Sequence, residues 1–257
     1  MSDYVLDHNL QGERGRLRLM SRLLDPMHRR YIEQLGIRPG ARTLEVGCGN
    51  GSMSAWLAER IAPGGHAIAV DLDLSLVHAT VPGLELRRQD IVAGPVGCKE
   101  FDLVTARAVL HHVSDVQAAV ANLVASMRPG GAILLIEPDF LPVSIAAPKD
   151  VRAFWDGWLE WSRAQGIDYL IGRRLPACLA SLALEDVEAT AETALYNGGS
   201  PWALYWRQTI IELRGRLVAS GYLDEALIET FLSYCVDRSW WTQTIAFTVV
   251  HARSPAG

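Results

Sequence analysis

The stretch Thr43-Leu44-Glu45-Val46-Gly47-Cys48-Gly49-Asn50-Gly51 places three glycines at alternate positions after a short apolar run. A buried strand that breaks at such glycines and enters a helix lets ligand atoms approach bare backbone. The first helical turn then offers unpaired N–H groups to anything electron-rich. Glu45 selects among ligands, because a carboxylate there repels a pyrophosphate and suits an ammonium group. Further on, Ala67-Ile68-Ala69-Val70-Asp71 is a second apolar strand ending in an acid, the position from which a nucleotide fold grips ribose hydroxyls. Together these features point to a nucleoside with an amino-acid tail.

A second set of groups lies downstream. Phe101 to Ala106 reads as a strand that opens into Arg107-Ala108-Val109-Leu110-His111-His112. Ligands of open α/β sheets sit at the carboxyl ends of strands, so Ala106 and Arg107 should border the ligand. His111 or His112 could take a proton from a hydroxyl or an amine. Neighbours in a helical turn diverge by about 100°, so only one of the two faces the site squarely. The other uses of these histidines are lining and packing. Glu137 and Asp139 end the strand over 132–136 and point toward the same crevice, to orient an acceptor or to cap the following loop. Seven of the eight tryptophans fall in the second half of the chain. Trp158, Trp206, Trp240 and Trp241 are candidates for an apolar acceptor pocket; the alternatives are core packing and a homodimer face.

These groups need elements to hold them. Leu17, Met20, Leu24, Tyr31, Ile32 and Leu35 recur at helical spacing, which predicts one or two amphipathic helices before the glycine turn. Six arginines lie on that segment, read as a solvated face or an anion patch. A helix follows Gly51 and stops before Pro63-Gly64-Gly65. A short helix is expected over 74–81, then a strand over 84–88. Val116, Val120, Leu123, Val124 and Met127 mark another helix, ended by Pro129-Gly130-Gly131. Beyond Phe140, helical stripes over 203–217 and 223–234 alternate with loosely patterned strands over 187–195 and 244–252.

In this order the motifs Glu45–Gly51, Val70-Asp71, Gln89-Asp90-Ile91, Phe101-Asp102-Leu103-Val104 and Arg128-Pro129-Gly130-Gly131 resemble those of class I S-adenosylmethionine-dependent methyltransferases, small-molecule branch, with a ubiquinone/menaquinone methyltransferase-like core. The resemblance covers roughly residues 36–140. It implies an α/β, Rossmann-like, mostly parallel sheet of about seven strands, helices on both faces and a helical cap inserted late. The implied organisation is an N-terminal helical lid (1–35), a cofactor-binding core (36–140), helical cap segments (141–180 and 197–238) and closing strands (183–196 and 244–253). S-adenosylmethionine is the implied cofactor. Glu45, Gly47, Cys48, Gly49, Gly51, Asp71, Ala106 and Arg107 would border it, Leu72, Asp90 and Ile91 would meet the adenine, and Tyr4 would fold over the sulfonium.

Composition narrows the function further. A net charge of −5 supplies no field to attract nucleic acid. Four scattered cysteines suggest neither a disulfide frame nor a zinc site. No apolar run is long enough to span a bilayer, and the expected location is cytoplasmic. The reading is therefore methyl transfer to a small, largely apolar acceptor, at O, N or C, without metal. A non-transferring member that guides a cyclisation is the alternative. A nicotinamide-dependent oxidoreductase fits less well, because Ser52 stands where that fingerprint needs Gly or Ala and Glu45 is unfavourable.

Overall fold

A computed structural model of the protein describes residues 12–78, 80–146 and 148–256. The chain opens with α1 (Glu13–Gln34), a single helix that continues through Pro26. Proline removes one N–H from the ladder, but Leu24, Met27, His28 and Ile32 around it are all buried, and this packing holds the helix together. Then come β1 (Arg42–Val46), α2 (Ser52–Arg60), β2 (His66–Asp71), β3 (Leu84–Arg88), β4 (Phe101–Arg107), α3 (Val116–Ser126) and β5 (Met127–Asp139). The second half adds α4 (Lys149–Ala164), α5 (Leu175–Ala180), β6 (Glu185–Glu192), β7 (Leu195–Asn197), α6 (Pro201–Ala219), α7 (Glu225–Tyr234), β8 (Trp241–Gln243) and β9 (Ala246–Arg253).

Seven strands form one sheet in the order β3-β2-β1-β4-β5-β9-β6. The first five are parallel and β9 runs antiparallel between β5 and β6. Alternate residues of the central strands serve two apolar cores. Leu44, Val46, Ile68, Val70, Val104 and Ala106 face α3 and α5, while Leu103, Leu134, Ile136 and Val249 face α1, α2 and the late helices. This two-sided burial is what a parallel sheet needs, and it matches the expected Rossmann-like architecture.

The local expectations depart in three places. The described residues between β2 and β3 form turns, not a helix over 74–81; of that stretch only Leu76 is buried, too little apolar surface to hold a helix cut short by Pro82. β5 begins at Met127 and runs through Pro129-Gly130-Gly131, with a register shift against β4 between Phe101 and Leu103 absorbing the turn-like residues. Leu195 leaves the main sheet, since β7 pairs with β8 in a separate two-stranded ribbon. Strand order reverses between β1 and β4, which makes the crevice beyond their carboxyl ends the natural ligand position.

Candidate active site

β1 ends in a turn whose three glycines all have positive φ: +72° at Gly47, +55° at Gly49 and +78° at Gly51, where α2 begins. At Gly47 space matters as much as conformation, because a Cβ would stand 2.1 Å from Cγ2 of Val109. The turn is tied to β2. Gly47 and Cys48 donate to the Val70 carbonyl at 2.8 and 3.2 Å, and the Gly49 N–H donates to Oδ2 of Asp71 at 2.9 Å. A carboxylate has about four acceptor sites, so Asp71 keeps capacity for ligand hydroxyls beside the turn. Burial pushes the Cys48 thiol pKa up, which leaves the backbone as this residue's contribution.

Glu45 corrects the sequence reading. It is 4% exposed and lies beneath the turn, where Ser54 of α2 donates its hydroxyl hydrogen to Oε2. Burial pushes its pKa up to about 7, opposed by the Ser54 hydrogen bond and the Arg107 charge. It does not present an open carboxylate to an ammonium group. Leu72 is 47% exposed, Ile91 is buried, and Asp90 is exposed and accepts the Val92 N–H at 2.9 Å. Tyr4 lies outside the described residues.

α1 crosses the crevice with two adjacent stripes. Leu17, Ser21 and Asp25 face the glycine turn and the end of β4: Leu17 lies 3.9 Å from where a Gly49 Cβ would be, Ser21 exchanges hydrogen bonds with Asn50 and Ser52, and Asp25 lies 2.8 Å from Nη1 of Arg107. Asp25 Oδ1 and Arg107 Nη1 make no hydrogen bond among the described residues, so this is a charge contact between two buried side chains. The next stripe, Arg16, Met20 and Leu24, lines a cavity of about 50 Å³ on the other side. Residues at i and i+4 share one face of a helix, and the neighbouring stripe is rotated away from it. α1 therefore touches the nucleotide-type turn and the cavity at once.

The remaining cavity wall comes from six places. Ala108, His111 and His112 follow β4; Pro138 and Phe140 end β5; Trp158 comes from α4; Trp202, Tyr205, Trp206 and Thr209 come from α6; Tyr169, Ile245 and Phe247 complete it. Ala108 has φ +56°, a strained value for a residue with a side chain. It turns the chain between Arg107, which meets Asp25, and Val109, which packs on Gly47. Such strain at a ligand-facing position is common where the surrounding fold enforces it.

His111 is buried in this wall with Nδ1 2.8 Å from Oε2 of Glu137, and its ring stacks on Tyr169. Glu137, read from sequence as orienting an acceptor or capping the following loop, holds His111. Its Oε1 accepts the N–H groups of Val109 and Leu110, both at 2.8 Å, and its Oε2 accepts the N–H of His111 at 3.3 Å. With the imidazole Nδ1–H these donors fill all four acceptor sites. Burial pushes Glu137 up to about 7, against the three backbone donors. Burial and the Arg16 charge hold His111 down to about 3, so the imidazole is neutral. An imidazole that donates from Nδ1 to a carboxylate keeps a lone pair at Nε2 to accept a proton.

Three other expected acceptor residues lie elsewhere. Asp139 forms an ion pair with Arg173 at 2.7 Å and is not in the cavity wall. Trp240 packs against Tyr196, Phe231 and Tyr234, and Trp241 sits on β8 with 62% of its surface exposed. Trp158 and Trp206 do line the cavity. Arg16, read from sequence as part of a solvated face or an anion patch, is 4% exposed and held by Glu13 at 2.6 and 2.7 Å. Only its spacing of four from Met20 and eight from Leu24 carried a signal.

Comparison with known proteins gives a sequence match to a methyltransferase domain over residues 14–189. An uncharacterized 37.1 kDa protein in a Streptomyces fradiae transposon is 31% identical over 234 residues, 87% of this chain and 66% of that protein. The ubiquinone biosynthesis O-methyltransferase of Coxiella burnetii is 34% identical over 118 residues, 43% of this chain and 49% of that one. The chain thus spans about half to two thirds of the length of these curated relatives. The structure of YcgJ protein from Bacillus subtilis shares the fold, with a TM-score of 0.60 at 16% identity over 88% of this chain and 97% of that chain.

Proposed function

The chain belongs to the methyltransferase domain family, and from that premise we propose that it transfers a methyl group from S-adenosylmethionine to a small, largely apolar metabolite. The observation that carries the proposal is α1, whose two stripes touch the glycine turn and an aromatic cavity holding a carboxylate-oriented histidine. S-adenosylmethionine, when bound, supplies a methyl already activated on a sulfonium. The protein's main task is then placement, which can be worth roughly 7–11 kcal/mol of the barrier.

The bare backbone from Gly47 to Gly51 receives the amino-acid end, and the remaining acceptor sites of Asp71 take ribose hydroxyls. Leu72, Asp90 and Ile91 border the base; Ala106, expected beside the ligand, is instead fully buried in the core that faces α3 and α5, and Arg107 meets Asp25. The Glu137-held His111 accepts a proton at Nε2 from the acceptor, and ionised Glu137 stabilises the imidazolium that forms. Trp158, Trp206 and Phe140 give the acceptor an apolar bed.

The test uses S-adenosylmethionine with an isotopic methyl label and a panel of hydroxylated and aminated aromatic acceptors. Labelled product is expected, with a rate that rises with pH through about 7 as Glu137 ionises. Glu137→Gln should lower kcat about 100-fold, remove that limb and leave KM nearly unchanged. Product formed faster but without label would replace methyl transfer by a guided cyclisation. Equal kcat in Glu137→Gln would remove the dyad from the reaction.

A further inference from the structure

One short motif occurs twice at the end of the sheet away from the glycine turn. Arg38-Pro39-Gly40 leads into β1, and Arg128-Pro129-Gly130 lies near the start of β5. Proline presets the second position of a tight turn and glycine supplies a left-handed third. Gly40 and Gly130 have φ of +85° and +72°, and the Ala41 N–H closes the first turn on the Arg38 carbonyl at 3.2 Å. β1, β4, β5 and β9 are neighbours in the sheet, and the antiparallel β9 ends at the edge where the other three begin. That edge holds a cavity of about 360 Å³ whose charged lining residues are Arg38, Asp102, Arg128 and Arg253. It lies a strand's length from the turn that follows Val46, and it shares no lining residue with the aromatic cavity.

The charges around this cavity do not balance. Its one carboxylate, Asp102, accepts from Nε of Arg128 at 2.7 Å and from the Arg42 N–H at 2.8 Å. Arg253 donates Nη2–H to the Leu35 carbonyl at 3.0 Å, which covers the negative end of α1. Glu185 stands opposite Arg253 in the strand ladder but forms no ion pair with it. Arg38 is exposed and has no hydrogen-bond or ion-pair partner among the described residues. Three guanidinium groups and one carboxylate thus line a single space, in a chain whose net charge is −5. Cations gathered in this way repel one another, and an anion between them removes the repulsion. We propose that this cavity is an anion site separate from the methyl-transfer centre, and that Arg38, Arg128 and Arg253 hold a phosphate group in it. The planar fork of a guanidinium matches phosphate oxygens in pairs. A phosphate carries about two negative charges near neutrality, which offsets the excess of guanidinium over carboxylate; a single carboxylate offsets half of it. The same group is presented by inorganic pyrophosphate and by a nucleoside diphosphate.

Calorimetry on the whole chain tests this without a methyl donor, so the site stands or falls apart from the proposed reaction. The probes are inorganic pyrophosphate and, separately, adenosine diphosphate. Pyrophosphate should bind the wild-type protein. Arg38→Ala removes an exposed side chain that holds no other described residue, and should weaken binding tenfold or more with the melting temperature unchanged. Arg18→Ala removes an equally exposed arginine of α1 outside the cavity, and should leave the affinity as it is. Equal affinity for the two probes, lost for both in Arg38→Ala, would identify free phosphate as the ligand. Tighter binding of the diphosphate nucleoside, again lost in Arg38→Ala, would identify a nucleotide. No heat with pyrophosphate, succinate bound as tightly as pyrophosphate, undiminished affinity in Arg38→Ala, or an equal fall in Arg18→Ala would each overturn the assignment.

Discussion

Gly47 has to be glycine on two grounds that can be separated by mutation. Its φ of +72° is left-handed, which costs a residue with a Cβ about 1–2 kcal/mol. The Cβ would also meet Cγ2 of Val109 at 2.1 Å, and valine is too stiff at χ1 to swing clear. Gly47→Ala should therefore lower the stability measured by urea unfolding by about 2–4 kcal/mol, strain and overpacking together. Val109→Ala opens the space without changing the backbone. In a double-mutant cycle the pair should recover about 1 kcal/mol or more relative to the sum of the single changes. Strict additivity would show that conformation alone fixes the glycine and that Val109 does not close over the turn. The same contact bears on function, because Val109 follows the strained Ala108 and donates its N–H to Glu137 at 2.8 Å, so a shift of Val109 would be felt at the histidine.

Among the elements, α1 is the one that joins the two halves of the site, and it is docked by groups that are expensive to leave unpaired. Asp25 meets Arg107 at 2.8 Å, and three residues on His28 donates Nε2–H to the Thr105 hydroxyl at 2.7 Å, whose own hydrogen goes to the Leu134 carbonyl. Asp25→Ala would leave a guanidinium buried without its counter-charge, so a loss of roughly 3–5 kcal/mol and faster amide exchange along α1 are expected. Asp25→Leu together with Arg107→Met should restore much of the stability, as apolar replacement of a buried pair often does. A single mutant as stable as wild type would mean that α1 is docked by its apolar stripe alone. None of this was legible in one sequence. The glycine turn and Asp71 could be read because strand, turn and acid are contiguous and obey fixed spacing. The cavity wall is assembled from α1, the segment after β4, the end of β5, α4, α6 and β9, and nothing local says which of the arginines at 14, 16, 18 and 22 turns inward. The Trp240-Trp241 pair misled for the same reason: proximity to β9 in sequence did not put either ring on the cavity side. Glu137 reads as a strand-end acid pointing into the crevice, but it is fully buried behind the cavity wall; its partner His111 lies on another strand's exit, and only the parallel register of β4 with β5 brings them together.

For the molecule as a whole, the buried titratable groups divide into two sets that oppose each other with pH. Glu45 and Glu137 are raised from 4.5 to about 7, so the stability they allow is fully present below about pH 4.5 and is lost as pH rises through about 7. The histidines act with the other sign: burial holds His28 and His112 well below 6.5 and His111 down to about 3, so their contribution is complete above 6.5 and is lost as pH falls. Between about pH 5 and 6 the unfolded chain gains up to three histidine protons while the folded chain holds two carboxyl protons that the unfolded chain has released. The excess is about one proton on unfolding, which gives an acid limb of only about 1.4 kcal/mol per pH unit from these five groups. Above neutrality the histidines have finished and the carboxylates turn the curve over, which places a broad maximum near pH 6.5–7. His28→Gln keeps an N–H for Thr105 and removes one of the histidine protons, so its acid limb should flatten or reverse. Glu45→Gln should do the reverse, matching wild type near pH 5 and gaining on it steadily up to pH 8, by roughly 3 kcal/mol in all, or several degrees in melting temperature for a chain of this length. Melting curves of the three proteins across that range check both signs. If Glu45→Gln runs parallel to wild type, the carboxyl beneath the glycine turn is already ionised at low pH and is held there by Arg107; the guanidinium would then be shared between Asp25 and Glu45, and removing Asp25 should cost less than an unpaired charge would.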